Sequence, residues 1–229
     1  DPAAAKRWES LVEEARKAVA KMSGGRIGYI HYPSTGPDGQ IEFIRGYWSQ
    51  TDKDAVILDG RWNSGGYIQP FVVPTIGRKS QSIIVSRNNL EGPELAAING
   101  PKAMLTNYLA GSGGDLTPWM FKNAGYGPVI GSRSLGGLVG IAGQTQLMDG
   151  GTVSSPEFGF IDPATGEWIA ENSGVSPDIP IDRTADTVAQ GRDVQLEKAV
   201  EVLMAELKKQ RPANVKYRFP RIQKKGGQP

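Results

Sequence analysis

Two short apolar runs, each ending in a cluster of glycines, set the tightest limit on what this chain can fold into. The first is "DAVILDG" (54–60), which continues into "RWNSGGY". The second holds Ala103, Met104 and Leu105 and continues through "TNYLAGSGGD" (106–115) into "DLTPWMFKNAG", whose apolar spacing is helical. An unbroken apolar run of this length suits a strand buried on both faces. Strand, glycine turn and helix in succession are the grammar of an α/β fold. A plain connection needs no more than a loop, yet the second turn sets one small hydroxyl, Ser112, among Gly111, Gly113 and Gly114.

The remaining segments extend that grammar. Residues 4–22 predict an amphipathic helix, with Trp8, Leu11, Val12, Ala15, Val19 and Met22 on one side and Ser23-Gly24-Gly25 as its stop. "RIGYIHY" predicts a strand ended by Pro33, and "SIIVS" (82–86) another. "GYIQPFVVPTIG" is ambiguous, because Pro70 and Pro74 would damage an ordinary helix interior. "GPVIG", "GGLVGI", "GTVSS" and "EFGFI" predict short strands, and "DPATGEW" (162–168) a turn between two of them. Residues 194–207 predict a second amphipathic helix, with Leu196, Ala199, Val200, Leu203 and Leu207 inward and Asp193 as N-cap. Without a repeat or a clear linker, one α/β domain is the economical expectation, with helices covering a sheet of mostly buried strands.

Composition excludes several chemistries. With no cysteine there is no disulfide, all-cysteine zinc site or thiol nucleophile. His31 is the only histidine, so no multi-histidine metal site forms within the chain and no cofactor is implied. A net charge of +2 gives no reason to expect a nucleic-acid partner. No stretch approaches the ~18 consecutive apolar residues of a membrane span. Basic residues gather after Glu206, from Lys208 to Lys225, and read as an extended, solvated tail over 208–229.

Serine acyl transfer needs an exposed hydroxyl, a base, a group that orients the base, and N–H donors for the oxyanion. A strand-to-helix turn exposes Ser112, and Gly113 can offer its amide there. The first glycine cluster could bring the amide of Gly66 beside it. Each piece has a plainer reading. Glycine-rich turns often contain serine, and Ser64-Gly65-Gly66 can be a tight turn; it lacks the Gly-Lys-Ser/Thr ending of a phosphate loop. Glu171 reads as a surface carboxylate beside a turn, and Arg133 and Ser134 as structural.

In order, "GYIHYP", "ILDGRWNSGGY", "NYLAGSGGD", "GYGPVIGSRSLGGLVGI", "LMDGGTVSSPEFGF" and "AENSGVSPDI" resemble the C-terminal catalytic domain of tricorn protease and its bacterial relatives, from about Arg26 to Ile181. That group is itself similar to the carboxy-terminal processing proteases. The resemblance implies a crotonase/Clp-protease-like spiral β-β-α core with flanking helices, and a serine endopeptidase or oligopeptidase acting on peptides or unfolded proteins. It implies Ser112 as nucleophile, Gly66 and Gly113 as oxyanion-hole amides, and Glu171 as the acid supporting a catalytic histidine through an intervening hydroxyl. Gly113 stands where tricorn proteases often have aspartate, and Ser64 replaces a glycine of the family's Asn-Gly-Gly-Gly. Gly137 stands where the processing proteases have a lysine base, so the chain follows the histidine branch.

His31 is the one base candidate and is disfavoured, since the matching histidine of tricorn relatives is not their catalytic one. In the family that histidine lies upstream of a PDZ domain. The resemblance therefore implies that residues 1–25 continue from an absent upstream region, that 26–207 form the peptidase core, and that a PDZ- or β-propeller-type region supplies the base. It further implies a homo-oligomer. The compartment stays open between cytoplasm and periplasm, leaning to the latter. The competing expectations are a catalytically silent peptide-binding or scaffold subunit, favoured by the missing base, and a crotonase-fold enzyme acting on thioesters.

Overall fold

A computed structural model describes residues 2–87, 91–93, 95–141 and 143–209; the expected basic tail lies, from 210 onward, outside the described residues. In chain order the elements are α1 (Pro2–Ser23), β1 (Ile27–His31), α2 (Pro37–Trp48), β2 (Ala55–Asp59), α3 (Gln69–Gly77), β3 (Ile83–Val85), β4 (Glu91–Pro93) and β5 (Lys102–Thr106). There follow α4 (Gly113–Asn123), β6 (Val129–Gly131), β7 (Gln144–Gln146), β8 (Thr152–Ser154), β9 (Ile179–Pro180), α5 (Ala185–Ala189) and α6 (Val194–Lys209).

A parallel sheet in the order β1-β2-β5-β6-β9 forms the centre. Successive side chains of a strand face opposite ways, and both faces are covered. Tyr29, Ala55, Ile57, Ala103 and Leu105 pack under α1 and α6, against Val19, Leu196, Ala199 and Leu203. Ile30, Val56, Leu58 and Met104 pack under the other helices, against Phe43, Val72, Ile76 and Phe121. That two-sided burial is why β2 and β5 read as continuous apolar runs. Asp193 caps α6, accepting the Leu196 amide at 3.1 Å.

The register places the site. His31 lies opposite Asp59, and Asp59 opposite Leu105, so β1, β2 and β5 end level with one another. Their exit loops, 32–36, 60–68 and 107–112, are therefore neighbours, and both glycine clusters lie on them.

Several expectations change. Of the α1 stripe, Val19 is buried, but Trp8, Leu11 and Met22 stay exposed. "SIIVS" and "GTVSS" form strands outside the main sheet, in the antiparallel pairs β3–β4 and β7–β8, with exposed side chains. "GGLVGI" and "EFGFI" are not strands; they meet at the single bridge Gly140–Phe158, and Ile161 bridges Trp168 across the 162–168 turn. The ambiguous stretch is helical: Pro70 falls in the first turn of α3, and burial of Val72, Val73 and Ile76 outweighs Pro74. No helix among the described residues is long and apolar enough to cross a membrane.

Candidate active site

Ser112 occupies the turn between β5 and α4 with φ 54° and ψ −117°, a left-handed conformation for a residue with a side chain. Holding a non-glycine residue there costs on the order of 1–3 kcal/mol. Tertiary hydrogen bonds enforce it. The Ser112 amide donates to the Gly137 carbonyl at 2.9 Å, and the Gly111 amide to the Asn63 carbonyl at 3.1 Å. The Ser112 carbonyl accepts from Asp115 and Leu116 as α4 begins.

The two glycine clusters touch. A Cβ on Gly65 would lie 2.8 Å from Ser112 Cβ, and one on Gly113 would lie 2.6 Å from the Gly66 carbonyl oxygen and 1.9 Å from Thr35 Oγ1. No side chain fits at either position. Gly113 is the first residue of α4, where an amide has no intrahelical acceptor. Among the described residues neither the Gly113 amide nor the Gly66 amide donates to a protein acceptor. Ser112, Gly66 and Gly113 together line a cavity of about 250 Å³, whose other walls include Tyr67, Leu138, Ile141, Phe158 and Phe160.

Glu171 joins this site through the loop behind it. Its Oε2 accepts the amides of Leu138 at 2.8 Å and Val139 at 2.7 Å, directly after the Gly137 that holds Ser112. Asp115, wholly buried, takes the other half of the same loop: it accepts the Ser134 hydroxyl and the amides of Gly136 (2.8 Å) and Gly137 (3.1 Å). The Ser134 hydroxyl in turn accepts the Val175 amide, a structural role as expected. The sequence offered only a faint signal for Asp115, an acid in the first turn of a helix.

His31 is elsewhere. It is 6% exposed at the end of β1, its ring 5.2 Å from that of Trp8. It lines a separate cavity of about 200 Å³ with Trp8, Arg61 and Trp62, which shares no lining residue with the Ser112 cavity. Burial pushes its pKa down, against the pull of the Asp59 carboxylate.

The turn that carries Gly66 is anchored by a buried ion-pair network. The Arg61 guanidinium, 2% exposed, meets Asp59 at 2.6 Å and Asp193 at 2.8 Å, and Tyr29 donates its hydroxyl to Asp59 at 2.7 Å. Burial alone would raise the Asp59 pKa; the charge and hydrogen bonds of Arg61 overcome it and hold the carboxyl below its ordinary value. The visible hint was an acid and a base two residues apart at a strand end, "LDGRW".

The pattern of peptidase family S41 matches residues 26–181, which contain Ser112, Gly66, Gly113, Asp115, Glu171, Asp59 and Arg61 but not Asp193. The chain belongs to that family. Within S41, it is 36% identical over 204 residues to the tricorn protease of Thermoplasma volcanium, covering 89% of this chain and 20% of that protein. To tricorn protease homolog 1 of Streptomyces coelicolor it is 32% identical over 203 residues, covering 88% of this chain and 19% of the relative. The crystal structure of the tricorn protease superposes with a TM-score of 0.83 at 34% identity, over 88% of this chain and 20% of that one. A structure of mature CPAF shares the fold at 15% identity, with a TM-score of 0.53 over 80% of this chain and 50% of its own. This S41 chain thus spans about a fifth of the length of the tricorn proteins it matches.

Proposed function

We propose that these residues are the nucleophile-bearing part of a tricorn-type serine peptidase. The observation that carries the reading is the placement of Ser112, held in left-handed backbone beside two amides that find no acceptor among the described residues. Ser112 Oγ attacks the scissile carbonyl and gives its proton to a base. The charge that develops on the carbonyl oxygen meets the Gly66 and Gly113 amides, and the proton passes to the leaving amine as the acyl-enzyme forms. Water then releases the acyl group by the reverse sequence. The S41 match and the tricorn likeness support the reaction class.

The base is a histidine from a region outside residues 1–229, because the one histidine here lines a different cavity. Glu171 orients that histidine through an intervening hydroxyl, using Oε1, while Oε2 holds the loop amides. On this reading α1 follows an upstream PDZ-type region, residues 26–207 form a peptidase core of the crotonase/Clp spiral kind, and the protein assembles as a homo-oligomer. Peptides or unfolded chains are the substrates. The aromatic and aliphatic walls of the cavity favour an apolar side chain next to the scissile bond.

A fluorogenic peptide assay with and without the base-bearing region tests this. Turnover is expected only in its presence, unchanged by His31→Ala. Brisk turnover by the 229 residues alone, abolished by His31→Ala, would overturn the assignment of the base. Absence of acylation in both cases would instead favour a silent peptide-binding subunit.

A further inference from the structure

We infer that Asn63 is the positioning residue of this site, the one whose buried side chain fixes the direction of the Gly66 amide relative to Ser112. The inference rests on the peptidase reading above and adds a residue to it. Asn63 is fully buried, and both ends of its carboxamide are used. Its Nδ2 donates to the Tyr32 carbonyl at 2.8 Å, and its Oδ1 accepts the Gly65 amide at 2.9 Å. Its backbone carbonyl accepts the Gly111 amide from the nucleophile turn at 3.1 Å. A Cβ on Gly114, in the first turn of α4, would lie 2.8 Å from that carbonyl oxygen and 3.1 Å from Asn63 Cβ. One residue thus touches the loop after β1, the Gly66 turn and the Ser112 turn.

The geometry of the peptide unit turns these contacts into a direction. Gly65 is pinned at both its polar atoms: its amide by Asn63, its carbonyl by the Thr35 amide at 2.8 Å. The Gly65–Gly66 peptide is planar and trans, so the Gly66 N–H points opposite to the Gly65 C=O. With that carbonyl turned toward Thr35, the Gly66 N–H is turned away from it. Asn63 holds the φ of +94° at Gly65 that makes this arrangement reachable. A carboxamide suits the position because it donates at one end and accepts at the other. Aspartate keeps the acceptor for Gly65 but cannot hold the Tyr32 carbonyl; alanine leaves both backbone groups unpaired.

A merely structural amide provides the control. Gln50, also buried, accepts the Tyr29 amide at 2.9 Å and donates to the Tyr29 carbonyl at 3.0 Å, and lines neither the Ser112 cavity nor its loops. The experiment compares Asn63→Ala, Asn63→Asp and Gln50→Ala, with the base-bearing region present, using succinyl-Ala-Ala-Phe coumarinylamide and following kcat, KM and thermal unfolding. Both Asn63 variants are expected to lose about 10- to 100-fold in kcat with KM within about twofold, as for loss of a supporting partner of a donor. Gln50→Ala is expected to lower the melting temperature and leave kcat unchanged. If Asn63→Ala does not fold, the isosteric Asn63→Asp decides alone. Unchanged kcat, a loss confined to KM, or an equal kcat loss in Gln50→Ala would overturn the inference while leaving the peptidase reading intact. A wild type inert toward the substrate would refute the peptidase reading, and this inference with it.

Discussion

Replacing Arg61 by methionine would show how strongly the turn carrying Gly66 depends on its buried charge. Methionine keeps much of the aliphatic stem and removes the guanidinium. Asp59, with no exposed surface, would keep only the Tyr29 hydroxyl at 2.7 Å and the residue 61 amide at 3.1 Å, having lost contacts of 2.6, 2.9 and 3.2 Å. Breaking a buried pair by removing one partner costs about 3–5 kcal/mol. For a chain of this size that is a fall of roughly 6–20 °C in melting temperature. The pH dependence follows from the sign of the shift. In the wild type the Asp59 carboxyl titrates below its unfolded value of ~4, so its contribution is complete above that pH and is lost as pH falls through the folded value. In Arg61→Met, burial outweighs the remaining hydrogen bonds from Tyr29 and the residue 61 amide and raises the carboxyl pKa, so the variant loses stability as pH rises past about 4. The gap between the two proteins is therefore widest near neutrality and narrows toward pH ~3. Urea titrations monitored by fluorescence at pH 3 to 7.5 measure it. Asp59→Asn combined with Arg61→Met should recover part of the loss, because neither buried charge of this pair remains. A loss under about 1 kcal/mol, or a gap independent of pH, would refute the reasoning.

Gly66→Ala would place a methyl 2.3–2.4 Å from backbone atoms of Thr35 and Gly36, at φ +125°. A stability loss of about 2–4 kcal/mol is expected from strain and overpacking together, with kcat lower by about 10²–10³-fold, measured by urea unfolding and peptide hydrolysis. Glu171→Ala leaves the Leu138 and Val139 amides without their acceptor; a loss of about 1–3 kcal/mol is expected in the same unfolding assay. Lys102, buried where it donates to the carbonyls of Ile98 and Gly100, has its pKa lowered to about 8, first by burial and then by the charge of Lys79. The unfolded chain binds its proton more tightly, so stability should climb as pH rises from about 8 to about 10. Lys102→Met should flatten that rise.

What the sequence revealed and what it hid divide along physical lines. The apolar runs of β2 and β5 were legible because burial on both faces removes every polar residue from a strand. The close approach of the two glycine turns left a trace, because strained backbone and tight contact at Ser112, Gly66 and Gly113 leave few residue types possible, while their proposed roles came from the family resemblance. Helix α2 was given no reading from the sequence, where Pro37, Gly39 and Gly46 interrupt any helical pattern, yet a Cβ on Gly39 would lie 1.8 Å from the Ser34 carbonyl oxygen and one on Gly46 3.0 Å from Ile30. Those glycines serve contacts that exist only after the strand is in place. "GGLVGI" misled because its apolar residues face the Ser112 cavity and a satellite core rather than a sheet. Asn63, Arg61 and Asp115 were missed for a common reason: a buried polar residue is recognisable only by its partners, and Asp193 stands 132 residues from Arg61. The family likeness pointed to Ser112 but not to the side chains that hold its turn.

The central claim is that residue 112 carries the reacting oxygen and that the Gly66 amide stabilises what forms on it. Intact-mass spectrometry of the protein after exposure to a peptidyl phosphonate, with the base-bearing region present, tests this directly. One adduct per chain is expected, mapped to Ser112, absent in Ser112→Ala and at least tenfold slower in Gly66→Ala. An adduct on any other residue, or equal labelling rates for Gly66→Ala and the wild type, would contradict the account.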